Sequence, residues 1–91
     1  MKIEFGCGKD TKEGFVSSDI RALDNVKYVC ECWNIHKYVE NNSVDEILSR
    51  HMFEHLTFKQ GRSALVSWKK VLKVGGSVRI IVPNLKYHID E

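Results

Sequence analysis

Near its start the chain runs from a short apolar stretch, Ile3-Glu4-Phe5, directly into Gly6-Cys7-Gly8, and Ser18-Asp19-Ile20 follows soon after. A strand ending in Gly-x-Gly, followed by a strand ending in an acid, is the arrangement by which many α/β proteins hold a nucleoside. The glycines let backbone approach a ligand closely, and the carboxylate accepts hydrogen bonds from ribose hydroxyls. A Gly-x-Gly alone is a weak motif. Here the remaining segments fall into the same plan.

Residues 2–5 read as a strand ending at Gly6. Residues 15–18 and 27–30 read as two more, each followed by an acidic residue. Residues 33–39 form a short helix with Ile35, Tyr38 and Val39 inward, and Asn41-Asn42-Ser43 is a turn. Residues 44–49 make a fourth strand, and 50–56 a loop or helical turn. The strongest periodicity lies in 58–73, where Ala64, Leu65, Trp68, Val71 and Leu72 share one apolar face and Lys and Arg take the other. Thr57 and Gln60 have the spacing of a capping box. Gly75-Gly76 is expected to stop this helix. A fifth strand follows over 78–82, closed by Pro83, which has no amide donor. Strands with helices interposed imply an α/β fold, a mostly parallel sheet of about five strands with flanking helices.

At 91 residues the chain is expected to be one small domain, 1–91, with a single core. A formal net charge of +2 carries no strong nucleic-acid signal. Lys59, Arg62, Lys69, Lys70 and Lys73 read as the solvated face of one helix. No stretch approaches the roughly 18 apolar residues that span a bilayer, and the N-terminus lacks a signal-peptide layout. Three cysteines, Cys7, Cys30 and Cys32, are read as reduced thiols of a cytoplasmic protein.

The chain resembles the class I S-adenosylmethionine-dependent methyltransferases, in particular small members related to the type 11 methyltransferase domain. Glu4-Phe5-Gly6-Cys7-Gly8 resembles the family's acidic-x-Gly-x-Gly motif, and Gly14 to Ile20 its second strand with terminal acid. Val29-Cys30-Glu31 is similar to the third strand and its carboxylate, and Asn42 to Ile47 with His51 to Leu56 to the fourth-strand region. Val71 to Gly76 is similar to the Leu-Lys-Pro-Gly-Gly turn, and Arg79 to Leu85 to the fifth strand.

The resemblance implies a Rossmann-like fold, S-adenosylmethionine as cofactor, an unidentified methyl acceptor, and a cofactor site built from Glu4, Phe5, Gly6, Cys7, Gly8, Asp19, Glu31 and His51. Backbone at Gly6, Cys7 and Gly8 would lie against the cofactor's amino-acid portion. Asp19 would take the ribose hydroxyls, Glu31 would sit near the adenine, and His51 would line the floor beside the sulfonium. No residue is assigned to acid-base catalysis, since the sulfonium is already activated and alignment does most of the work. On the residues alone, Gly6 and Gly8 also suit a tight turn, Asp19 a cap, Glu31 a solvated loop and His51 a structural hydrogen bond. Cys7 is read as packing.

Two departures from the family pattern shape the expectations. Only residues 9–14 separate Gly8 from Phe15, too few for the usual crossover helix, and Asp10 stands where a third glycine is common. The chain also stops soon after its fifth strand, where the family continues with a helix and two strands. An incomplete sheet would leave the fifth strand at an edge, and a homodimer or segment exchange through that edge is expected.

Two other readings compete with a methyltransferase. A nucleoside-binding or interaction module without turnover would keep the fold and lose the acceptor half. His51-Met52-Phe53-Glu54-His55 also has zinc-ligand spacing, which would make His51 and His55 metal ligands.

Overall fold

The computed structural model describes residues 1–6, 11–50, 52–82 and 85–90. Strands β1 (Lys2–Phe5), β2 (Val16–Asp19), β3 (Tyr28–Val29), β4 (Val44–Arg50), β5 (Leu72–Val82) and β6 (Leu85–Asp90) form one sheet in the order β3-β2-β1-β4-β5-β6. The first five run parallel, and β6 pairs antiparallel with β5. Among the described residues, one α-helix, α1 (Phe58–Val71), and two 3-10 helices, Cys32–Lys37 and Phe53–His55, accompany the sheet. The mostly parallel α/β plan therefore holds. So does the short β1–β2 link, which contains no helix among its described residues.

The sheet's register explains its two faces. Ile3, Ile47 and Val78 lie side by side, as do Phe5, Ser49 and Ile80. These two rows form the face that meets α1. There Trp68, wholly buried, stacks on Phe5 with ring centroids 5.0 Å apart and leans on Phe53 at 5.8 Å. Its indole N–H donates to the Cys32 carbonyl at 3.0 Å, so the largest core side chain also satisfies its polar atom. Ser67, also buried, accepts the His36 backbone N–H through its hydroxyl at 3.2 Å and contacts Nδ1 at 2.6 Å, tying the first 3-10 helix to α1.

Helix α1 starts as the sequence indicates. Thr57 Oγ1 accepts from the Gln60 amide, and Gln60 Oε1 accepts from the Thr57 amide. It ends earlier than expected, at Val71 rather than residue 73. The carbonyls of Lys70 and Val71 accept from the amides of Asn42 and Ser43, at 3.1 and 2.9 Å. The chain then turns extended at Leu72, which pairs with Val44. Gly75-Gly76 is thus no helix stop but part of an excursion within β5, where five steps from Leu72 to Ser77 oppose two from Val44 to Glu46. Gly75 has φ +87°, as such an irregularity requires.

Three further expectations are corrected. Tyr38 faces solvent, because the 3-10 helix ends at Lys37 and only Cys32, Ile35 and Val39 turn inward. Leu65 lies at the rim of the apolar face rather than in the core. Strand β5 is not an edge, because β6 pairs along it from Ser77 to Val82. The edges of the described sheet are β3 and β6, so association through an open fifth strand loses its premise. Pro83, read as the end of that strand, lies outside the described residues. No helix among the described residues is long and apolar enough to cross a membrane.

Candidate functional site

Strand order reverses between β1 and β4. In parallel α/β sheets the carboxyl ends of the strands at such a reversal splay apart and leave a crevice. A cavity of about 500 Å³ opens there, within the range of small-molecule sites. Its floor comes from Phe5 and Gly6 at the end of β1 and from Ser18 and Asp19 at the end of β2. One wall is Cys30 to Trp33, and the opposite wall is Met52, His55 and Leu56.

Local geometry sets each of these positions. Gly6 takes φ +65° as the chain leaves β1, and its amide donates to the Ser18 carbonyl at 3.0 Å. A Cβ on Gly6 would stand 2.9 Å from Cβ and 2.8 Å from Cγ of Met52, so the turn and the Met52 wall need glycine here. Past β2, the Cys30 amide donates to the Asp19 carbonyl at 3.1 Å, which sets the third strand's end beside the second.

The residues singled out from the sequence separate into three groups. Phe5, Gly6, Asp19 and Glu31 come together on the cavity. Glu4 does not line it. Its carboxylate is buried under the loop after β1, where it accepts the Lys12 amide at 2.7 Å and Arg50 Nε and Nη2 at 2.8 and 2.7 Å. Glu4 therefore supports the loop and ties it to β4. Cys7, Gly8 and His51 lie outside the described residues.

Asp19 is almost fully buried, and Arg21 reaches back to it. The Arg21 amide and Nε donate to Oδ1 at 3.0 and 3.2 Å, and Nη2 donates to Oδ2 at 3.1 Å. Glu31 is exposed, and its carboxylate accepts from Asn34 Nδ2 at 2.9 Å. Sequence reading missed Ile20, Arg21, Trp33, Met52 and Leu56 as wall residues. Their shared signal is position, since all but Leu56 lie within four residues of a strand's carboxyl end.

A methyltransferase-domain family model matches residues 3–80. The chain belongs to the methyltransferase-domain family. Its five parallel strands, reversing between β1 and β4, make it a class I fold, as the sequence resemblance implied. A search of curated proteins returned no match. Among solved structures, the chain is similar to a SAM-dependent methyltransferase from Archaeoglobus fulgidus, at TM-score 0.74 and 17% identity over 91% of this chain and 44% of that one. It is also similar to a proposed S-adenosyl-L-methionine-dependent methyltransferase from Methanococcus maripaludis, at TM-score 0.65 and 20% identity over 87% and 46%. The methyltransferase domain described here thus spans less than half the length of either.

The methyltransferase domain brings two thiols to the cavity. Burial pushes the Cys32 thiol up to about 12, with a smaller contribution from neighbouring Cys30. Cys30 is also raised, chiefly by burial, although its contact with Ser18 Oγ at 3.7 Å opposes the shift. Neither is tuned as a nucleophile, because the thiolate is the reactive form. Alkylation of the folded protein by iodoacetamide at pH 8, followed site by site with mass spectrometry, should modify Cys32 roughly a hundredfold or more slowly than free cysteine. Labelling of Cys32 at the free-thiol rate would contradict this burial. Among the described residues, no group of three or more His, Cys, Asp or Glu could hold a metal ion.

Proposed function

We propose that this methyltransferase domain binds S-adenosylmethionine in the cavity at the carboxyl ends of β1, β2 and β3, and serves methyl transfer to an acceptor whose identity is open. One observation carries the reading. A nearly fully buried carboxylate, Asp19, stands on the cavity floor beside a left-handed glycine, Gly6, next to the point where strand order reverses. The Asp19 carboxylate already takes its donors from Arg21, whose side chain is largely exposed, and at this point in an α/β sheet a ribose diol is a natural alternative donor.

The rest of the cavity suits the same ligand. Ile20, Trp33, Met52 and Leu56 offer apolar surface for an adenine ring and for the carbons around a sulfonium. Gly6 offers backbone without a side chain to the amino-acid portion, a role that Cys7 and Gly8 would share. Glu31, at the end of the third strand, would accept from the adenine amino group. His51 would lie beside the sulfonium. S-adenosylmethionine supplies an activated methyl group, so the chain's task is to hold the donor in line and keep water out. Its apolar walls serve the second purpose. Fixing the ribose through Asp19 serves the first.

Calorimetric titration with S-adenosylhomocysteine tests the reading. The wild type should bind saturably at one site. Asp19→Ala should bind about a hundredfold more weakly, because two hydrogen bonds to a charged acceptor are lost. Absence of saturable binding by the folded wild-type protein would overturn the proposal.

A further inference from the structure

Asp19 and its closest neighbour in the cavity differ sharply in exposure. The Asp19 side chain is 4% exposed, whereas that of Arg21 is 61% exposed. Arg21 nonetheless sets a planar fork against the carboxylate, Nε on Oδ1 and Nη2 on Oδ2, while its own amide also donates to Oδ1. A carboxylate has about four in-plane lone-pair sites. The two oxygens that the fork occupies are the pair that a vicinal diol would address.

We infer that Arg21 is an exchangeable stand-in for the ribose diol, one that any nucleoside must displace to bind. This rests on the cofactor reading above. In the free protein the guanidinium neutralises a carboxylate that is too buried to be left to water. It does so from the solvent side, where releasing the pair costs little because the cation is rehydrated as it leaves. The Arg21 amide stays on Oδ1 throughout, so Asp19 keeps its orientation while its partner changes. A ligand with both ribose hydroxyls replaces both bonds of the fork. One lacking a hydroxyl replaces only one, leaving a buried acceptor short of a donor. Arg21 thereby lowers the site's affinity for every nucleoside by the cost of its own displacement.

The test uses 5′-methylthioadenosine, a neutral nucleoside with an intact diol, so that salt acts on the protein's own ion pair and not on the ligand. Arg21→Ala should bind it about three- to tenfold more tightly than wild type, the range expected for releasing one ion pair whose cation is largely exposed. Arg21→Gln should shift in the same direction. Wild-type affinity should rise between 50 mM and 500 mM NaCl as the fork is screened, and that of Arg21→Ala should stay flat. If Arg21→Ala binds no more tightly than wild type, the exchange is overturned while the cofactor reading stands. If neither protein binds this nucleoside or S-adenosylhomocysteine saturably, the cofactor reading falls and takes the exchange with it.

Discussion

Gly6→Ala is expected to abolish nucleoside binding and to destabilise the domain by roughly 2–4 kcal/mol. Two effects add. Alanine at φ +65° costs about 1 kcal/mol relative to glycine. The new Cβ would also stand 2.9 Å from Cβ of Met52, a near-backbone atom that cannot swing aside as a side-chain tip can. Overpacking of that kind costs about 1–3 kcal/mol. Relief by outward movement of Met52 would push it across the cavity that Gly6 and Met52 both line, so stability and binding should fall together. In urea melts the double variant Gly6→Ala, Met52→Gly, which removes both clashing atoms of Met52, should recover most of the packing part and retain the backbone part. Full stability and unchanged S-adenosylhomocysteine binding in Gly6→Ala would mean that the turn after β1 is not built as described.

The largest loss of stability should come from Trp68→Ala, about 3–5 kcal/mol by the usual cost of emptying an aromatic site. Domains of this length have roughly 5–14 kcal/mol in total, so the variant should lose at least about a fifth of its stability. Trp68 stacks on Phe5 on the floor of the cavity, touches Phe53 before α1, and satisfies the Cys32 carbonyl on the cavity wall. Its removal therefore loosens three cavity-bearing segments at once. Trp68→Phe keeps the stack and loses the indole hydrogen bond, and should cost only about 1–2 kcal/mol. Urea denaturation followed by far-ultraviolet circular dichroism distinguishes the two. Equal stability of Trp68→Ala and Trp68→Phe would show that the stack on Phe5 contributes little.

What could be read from the chain was local. The start of α1 was legible because Thr57 and Gln60 cap it through contacts three residues apart. The cavity floor was legible because Gly6 and Asp19 belong to short motifs at strand ends. The end of α1 was not, because the groups that capture its last carbonyls, the amides of Asn42 and Ser43, are remote in sequence. Strand β6 was missed for a related reason. An alternating run such as Leu85 to Asp90 becomes a strand only when a partner offers its edge, and that partner is β5.

Glu4 marks the division most clearly. Its place in the acidic-x-Gly-x-Gly motif implied a cofactor contact, whereas in the fold its carboxylate is held by Arg50, brought alongside from β4, and by the Lys12 amide. Sequence by itself determined where the first strands end, the helix with its capping box, and the presence of a glycine and a carboxylate on the cavity, because these depend on near neighbours and on backbone conformations that few residues tolerate. Tertiary structure alone decided which carboxylate faces the cavity, which cation faces that carboxylate, and which strand closes the sheet. Those depend on pairings between distant segments, and a buried charge or an open strand edge takes whatever partner the folded chain brings to it.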